Sequence, residues 1–393
     1  MIVIINGKVV APREVLDGHC VVIEDGKISR VAPQSQVLRP DDAQVIDADG
    51  AYVAPGFIDM HVHGGLGRDT MEASVGALAQ IAKFHASGGT TAMTPTTAAH
   101  SGESITAALD AVAQAVGHDF GGAQILGAHI EGPYMSREKC GAQPARHVRD
   151  PDPNEYSAWL ERDGVVTQMT LAPELPGALQ LIDALLEHEV IPSGGHTAAN
   201  YEQVRLAVER GLCQATHLFN CMSNATKLGA FRVPGALETF LADERVMVEL
   251  IADGKHVHPE LMKLAVRAKG VDNVCLVTDA TAGAGLADGA EFSISETRCV
   301  VRNGVGMIAG QEAIAGSVST MIVMVRNMVE QVGVPLADAV RMASANPARA
   351  LGLGGRKGGL EPRKDADVVI FASDFQVRKT LVGGRVEFDV ERV

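Results

Sequence analysis

The sequence predicts an α/β protein: a (β/α)8 TIM barrel with a small β-sandwich domain formed by the N- and C-terminal segments. Three observations predict it. Two short β-rich ends flank a long middle. That middle alternates apolar, strand-like runs with amphipathic helical ones, which points to parallel βα units. Histidine, glutamate and aspartate recur where those runs end, the place where a barrel keeps its chemistry.

The elements follow in chain order. VIINGKVV, HCVVIEDGKISRV and AQVIDADGAYV are β-branched runs broken by Gly, Asp and Asn turns. The far end repeats the pattern with DADVVIFA and VRKTLVGGRVEF, so residues 1–54 and 356–393 are expected to form the sandwich and 55–355 the barrel. Eight strands are expected in the barrel: GFIDMHV, TAMTPT, QILGAHIE, VTQMTLAP, VIPSGGH, CQATHLF, VMVELIAD and NVCLVTDA. Between them lie helical stretches such as SVGALAQIAKFHAS, AALDAVAQAV, ALQLIDALLEH, NYEQVRLAVER and PELMKLAVRAK. GLADGAEFSISETRCVVRNGVG reads as an inserted hairpin, and MIVMVRNMVEQV and LADAVRMASANPARAL as the helices that finish the barrel. Eight parallel strands suffice to close such a barrel.

Composition bounds the partners. With 393 residues and 46% hydrophobic content, the chain is long enough for one barrel and an accessory domain. Its 34 Lys plus Arg against 48 Asp plus Glu give −14, which argues against nucleic acid and anionic membranes as partners but leaves room for a small anionic substrate. No apolar run reaches the roughly 18–20 residues of a membrane span. MIVIINGKVV enters strand-like sequence without the features of a signal peptide. The cysteines are scattered without a C-x-x-C pair, so reduced thiols and a cytoplasmic location are expected.

His61 and His63 close the first barrel strand, and a His-x-His pair on a strand shares one face and can address one ion. Glu131 closes strand three, His196 strand five and His217 strand six; His256 follows strand seven and Asp279 ends strand eight. Each alone has an ordinary explanation: a carboxylate paired with a cation, a helix-capping histidine, a satisfied core histidine. Together, imidazole nitrogens and carboxylate oxygens from separate strands are what a catalytic zinc-type centre needs, with an open position for water. Asp279, after four apolar residues, reads either as a buried cap or as a general base beside the metal.

With these residues in view, the chain resembles the amidohydrolase superfamily and, within it, the N-acetylglucosamine-6-phosphate deacetylases. The resemblance spans nearly the whole chain: APGFIDMHVHGG, GTTAMTPTT, GAHIEGPY, LAPE, GGHT, ATHLFN, RVPG, ADGKHVHPE, LVTDAT and ANPARALGL, with the GGLEPRKDADVVIF ending. PGFID-x-H-x-H marks only the superfamily, whereas HIEGP, GGHT, THLFN, ADG-x-HV and VTDA in this order mark the deacetylases.

The resemblance implies metal-dependent hydrolysis of the N-acetyl group of N-acetyl-D-glucosamine 6-phosphate to D-glucosamine 6-phosphate and acetate. It implies metal ligands at Glu131, His196 and His217 and a general acid/base at Asp279. It further implies sugar and acetamide contacts at Ala142 and Gln143, a backbone pair at Asn220 and Cys221, phosphate contacts at Arg232 and His256, and a lining loop at Ala315 and Gly316. In this family the arginine reaches the neighbouring subunit's site, so a homodimer is implied. Some members lack the strand-one pair and hold a single ion; His61 and His63 are present here, which leaves room for a second ion bridged by Glu131. Zinc is the first expectation for the divalent metal, with iron, cobalt and manganese compatible with the same ligands.

Three other readings stay open at this point. N-acetylgalactosamine 6-phosphate differs at one hydroxyl, and nothing in the sequence chooses between the epimers. Cyclic-amide amidohydrolases bridge their metals with a strand-four lysine, which VTQMTLAP lacks. A barrel that has lost its metal and serves as a scaffold would not need every proposed ligand.

Overall fold

The computed structural model describes residues 1–38 and 40–392, and its middle is a closed barrel of parallel strands. These are β1 (Phe57–Val62), β2 (Thr90–Pro95), β3 (the runs Gln124–Ile125 and Ala128–Glu131), β4 (Val166–Leu171), β5 (Ile191–Gly194), β6 (Gln214–Ala215), β7 (Met247–Ile251) and β8 (Val274–Val277). Each is paired in parallel with the next. A parallel bridge between Val62 and Ala280 joins β8 back to β1, reinforced by Asp279 N–H donating to the His61 carbonyl at 2.9 Å. The expected barrel is therefore present with all its strands.

Burial does not follow apolar composition alone here: β8, VCLV, is wholly apolar, whereas β1 and β2 carry the polar residues Asp59, His61, Thr90, Thr91 and Thr94. Every residue of β1, β2 and β8 is buried, because side chains facing the axis and side chains facing the helices are both covered. The helices bury one stripe each. In Ala178–Glu187 the buried positions are Ala178, Leu181, Ile182 and Leu185, one face of a 3.6-residue period. Tyr201–Arg210 starts at an Asn200–Gln203 capping box. Two helices absent from the sequence reading, Pro153–Leu160 and Ala236–Ala242, cover the barrel after β3 and β6. The first carried a start signal all the same, an Asp152 cap followed by proline at the first helical position.

Strands from both chain ends share one eight-stranded sheet. Val368–Phe371 pairs antiparallel with Tyr52–Pro55, which splices the C-terminal hairpin onto the N-terminal strands. The sheet folds over itself. Ile28 near one edge and Leu381 near the other belong to one apolar cluster, and Ile28 exchanges backbone hydrogen bonds with Arg363 and Lys364 at 2.8 Å. The excursion after β8 is a three-stranded antiparallel sheet, Glu291–Ile294, Thr297–Arg302 and Val305–Ile308, which leans over the barrel mouth. No helix among the described residues is long and apolar enough to cross a membrane.

Candidate metal centre

The polar residues singled out in the sequence meet at the C-terminal end of the barrel. His61 and His63 lie on and just after β1, two residues apart and on one face as the strand period requires. Glu131 is the last residue of β3. His196, His217 and Asp279 lie two residues beyond the ends of β5, β6 and β8, a small departure from the expectation that they end the strands themselves. There the backbone turns through the left-handed region, with φ of 45° at His196, 29° at His217 and 46° at Asp279. Such conformations are uncommon for residues other than glycine, and they cluster where a side chain must be aimed.

These residues form two adjoining trios, Glu131–His196–His217 and His61–His63–Asp279, all buried except the partly exposed Asp279. In the first, Glu131 Oε1 lies 3.0 Å from His217 Nε2 and 3.3 Å from His196 Nε2. In the second, Asp279 Oδ1 lies 3.3 Å from His63 Nε2 and 3.5 Å from His61 Nε2. Glu131 joins them, with Oε2 at 3.2 Å from His63 Nε2 and Oε1 at 3.3 Å from His61 Nε2.

The tautomers identify what the trios are for. His196 Nδ1 lies 2.8 Å from the Lys139 carbonyl, so it carries the proton and leaves a lone pair on Nε2. His61 Nδ1 lies 2.9 Å from Glu249 Oε2, with the same consequence. His196 and His61 thus turn a bare Nε2 inward, 3.0 Å from His217 Nε2 and 3.3 Å from His63 Nε2, and the Nδ1 atoms of His217 and His63 are buried without a hydrogen-bond partner among the described residues. Lone pairs aimed at one another in a buried place are unfavourable unless a cation lies among them. The donor set, imidazole nitrogen with carboxylate oxygen, suits a divalent ion.

Charge follows the same arrangement. Burial opposes ionisation of Asp279, but His61 and His63 hold it down to about 2. With no ion bound, and against the cost of burial, the neighbouring carboxylates raise the pKa of both histidines; a divalent ion would displace those protons and take over their charge. Burial likewise opposes ionisation of Glu131, and His61 and His196 keep it well below the usual carboxylate range. Both are charged at neutral pH. Burial disfavours the imidazolium of His256, yet Asp253, 2.7 Å from its Nδ1, raises its pKa and favours the cationic form at the cavity wall.

The cavity above the trios is lined by most of the expected substrate contacts: Ala142, Gln143, Asn220, Cys221, His256 and Gly316. Gln143 Nε2 donates to Glu131 Oε2 at 2.7 Å and its Oε1 accepts from Ala99 N, so its amide is oriented by the centre itself. Gly141 lets this loop approach: its φ is +60°, and a Cβ there would stand 2.6 Å from Cys221 Sγ. Ala315 is fully buried behind Gly316 and does not line the cavity. Arg232 sits on the exposed hairpin Thr226–Leu228/Phe231–Val233 and is not part of the cavity wall of its own chain. The hairpin carries it outward, and no arginine among the described residues lines the cavity.

Sequence reading missed Thr281, Ile294 and Ile314, which line the cavity from beyond β8 and from the excursion. It also missed Glu249, a fully buried carboxylate on β7. The signal for Glu249 was its single charge inside the apolar run MVELI; the signal for the other three was absent, because their role depends on how the excursion folds back.

The Amidohydrolase family profile matches residues 52–386. The N-acetylglucosamine-6-phosphate deacetylase of Bacillus subtilis (strain 168) is 35% identical over 384 residues, covering 97% of this chain and 95% of that relative. The N-acetylgalactosamine-6-phosphate deacetylase of Escherichia coli O157:H7 is 36% identical over 372 residues, covering 94% and 95%. Among solved structures, N-acetylglucosamine-6-phosphate deacetylase from Pasteurella multocida superposes with a TM-score of 0.91 at 33% identity, covering 98% of each chain. A mutant of the Mycobacterium smegmatis deacetylase in complex with N-acetyl-D-glucosamine-6-phosphate gives 0.90 at 32% identity, covering 98% of this chain and 99% of that one.

Proposed function

The chain belongs to the amidohydrolase family, and on that premise we propose that it hydrolyses the N-acetyl group of N-acetyl-D-glucosamine 6-phosphate to D-glucosamine 6-phosphate and acetate. The observation that carries this reading is the convergence of bare imidazole nitrogens and two charged carboxylates on one barrel mouth.

Glu131, His196 and His217 would hold one divalent ion, and His61, His63 and Asp279 have the donors for a second, with Glu131 between them. A divalent ion bound there acidifies water from a pKa of ~15.7 towards ~7 and polarises the acetamide carbonyl. The chain's own residues do the rest. Asp279, ionised and reaching the cavity, takes the proton of the attacking water on its carboxylate and returns it to the sugar nitrogen as the C–N bond breaks. Gln143 places its amide against the acetamide, and His256, its ring held by Asp253, donates to the phosphate. Zinc is the first candidate metal, followed by iron, cobalt and manganese.

The phosphate needs a second cation that the cavity of one chain does not supply. Arg232 of a second copy is the candidate, since its hairpin exposes Phe231 at 78% and Leu228 at 71%, apolar area that a homodimer would cover. Arg232→Ala should raise KM for the phosphorylated sugar far more than for N-acetylglucosamine; equal effects on both remove it from the site. The galacto epimer is the second reading, on the strength of the E. coli relative. Acetate release from both epimers, with and without chelator, tests the whole: kcat/KM chooses between them, and full activity after every divalent ion is stripped would overturn the reading.

A further inference from the structure

Glu249 lies outside everything assigned so far. It sits at the barrel axis beneath the strand-one histidines, fully buried, and no residue of the proposed reaction scheme uses it. Its oxygens accept from four donors. Oε2 takes His61 Nδ1 at 2.9 Å and the backbone N–H of His217 at 3.2 Å. Oε1 takes Gln214 Nε2 at 2.7 Å and Gln168 Nε2 at 3.2 Å. Both glutamines are themselves held: Gln168 Nε2 also donates to the Met60 carbonyl at 2.8 Å, and Gln214 Nε2 to Gln168 Oε1 at 3.0 Å. A pocket lined only with donors suits an acceptor-only carboxylate. A glutamine there would aim its own N–H groups at two of them.

From this geometry we infer that Glu249 is a positioning residue that makes the His61–His63–Asp279 trio a second divalent-ion site. The inference rests on the two-ion reading of the centre. Glu249 acts through His61 in three ways. It fixes the tautomer with the proton on Nδ1, holds the ring in line with His63, and makes Nε2 a better donor. It also supplies charge. Within the two trios, two divalent ions would face the carboxylates of Glu131 and Asp279; Glu249 adds a further buried carboxylate, 2.9 Å from the Nδ1 of the His61 ring that would hold the second ion. Because Oε2 also takes the His217 N–H, the same oxygen ties one trio's side chain to the other's backbone.

The test is metal stoichiometry and affinity, measured on the purified full chain by elemental analysis and by Co(II) titration followed in visible absorption. The wild type is expected to take up two ions. Glu249→Gln should keep the ion of Glu131, His196 and His217 and bind the second about 10- to 100-fold more weakly. Glu249→Asp, shorter but charged, should recover part of that loss. If Glu249 merely filled space, the isosteric Gln would be the benign change and Asp the harmful one, and that order would overturn the inference. Two ions held with unchanged affinity by Glu249→Gln, or a single ion in the wild type, would overturn it as well. Should the variants fail to fold, ¹⁵N-histidine NMR of the zinc-loaded wild type still decides: a proton on His61 Nδ1 is expected, and a proton on Nε2 refutes it. Acetate release by the wild type keeps the proposals apart, since a chain that binds two ions but releases no acetate fails the functional reading and not this one.

Discussion

Two clusters of buried charge in this molecule look alike in composition and differ in kind. At the seam between the terminal sheet and the barrel, Lys357 is 1% exposed and its Nζ meets Asp367 at 2.7 Å and Asp365 at 3.0 Å. Asp365 also takes Arg356 at 2.9 Å and Lys27, and Asp367 takes the backbone N–H of Gly383 at 2.9 Å. Donors there face acceptors, and the cluster completes itself. At the barrel mouth, by contrast, donors do not match acceptors one for one: imidazole nitrogens stand 3.0 Å apart with a carboxylate oxygen beside them, and the Nδ1 atoms of His63 and His217 are buried without a partner among the described residues. That cluster is complete only with a cation from outside. A buried polar group costs free energy unless it is paired, so a self-paired cluster belongs to the architecture, whereas one that needs a guest marks a binding centre.

Breaking each cluster should therefore have opposite consequences. The largest effect is expected for Asp279→Asn, which should lower kcat by about 10²–10⁴-fold while keeping the ion of Glu131, His196 and His217 and a melting temperature close to wild type. Turnover near the wild-type rate would deny Asp279 its proton-transfer role. Lys357→Met should do the reverse. Removing one partner of a buried pair costs about 3–5 kcal/mol, read as a shift in the denaturant midpoint, while kcat per folded molecule stays unchanged. An unaltered midpoint would mean that the seam cluster contributes nothing to stability.

The smallest effect concerns acid. Burial opposes ionisation of Asp365, but Lys27, Lys357 and Arg356 hold its folded pKa down to about 2, against 3.8 for the free group. A depressed carboxylate contributes stability that is fully present above its unfolded pKa and lost as pH falls through the folded value. Between pH 7 and 5 the Asp365→Asn variant should thus differ from wild type by a constant amount, and the gap should close only below about pH 4. A gap that closes between pH 7 and 5 would place the titrating group elsewhere, for instance among the histidines, which shed metal as they take up protons.

Much of this was legible in the residues because it depends on short-range periodicity. The period of two along β1 puts His61 and His63 on one face whatever surrounds them. The apolar run of β8, VCLV, announced a strand covered on both sides. Arg232 was placed by likeness alone, and a single chain sets it on an exposed hairpin away from the cavity. Glu249 was passed over because one acid in a strand says nothing about what faces it. Ile294 and Ile314 were out of reach for the same reason, since the excursion that carries them reaches the mouth only once folded.

What the sequence determined by itself was the inventory and its order: eight strands with helices after most of them, ligand types at the strand ends, and β-rich termini that need each other's edges. Those follow from local stereochemistry, in which each residue's neighbours along the chain decide its face. Which nitrogen of each histidine carries its proton was decided only by tertiary structure. The Lys139 carbonyl that orients His196 lies 57 residues away, and the Glu249 carboxylate that orients His61 lies 188 residues away. A hydrogen bond forms only where the closed barrel brings its two ends within reach of each other, and no property of either residue alone announces that meeting.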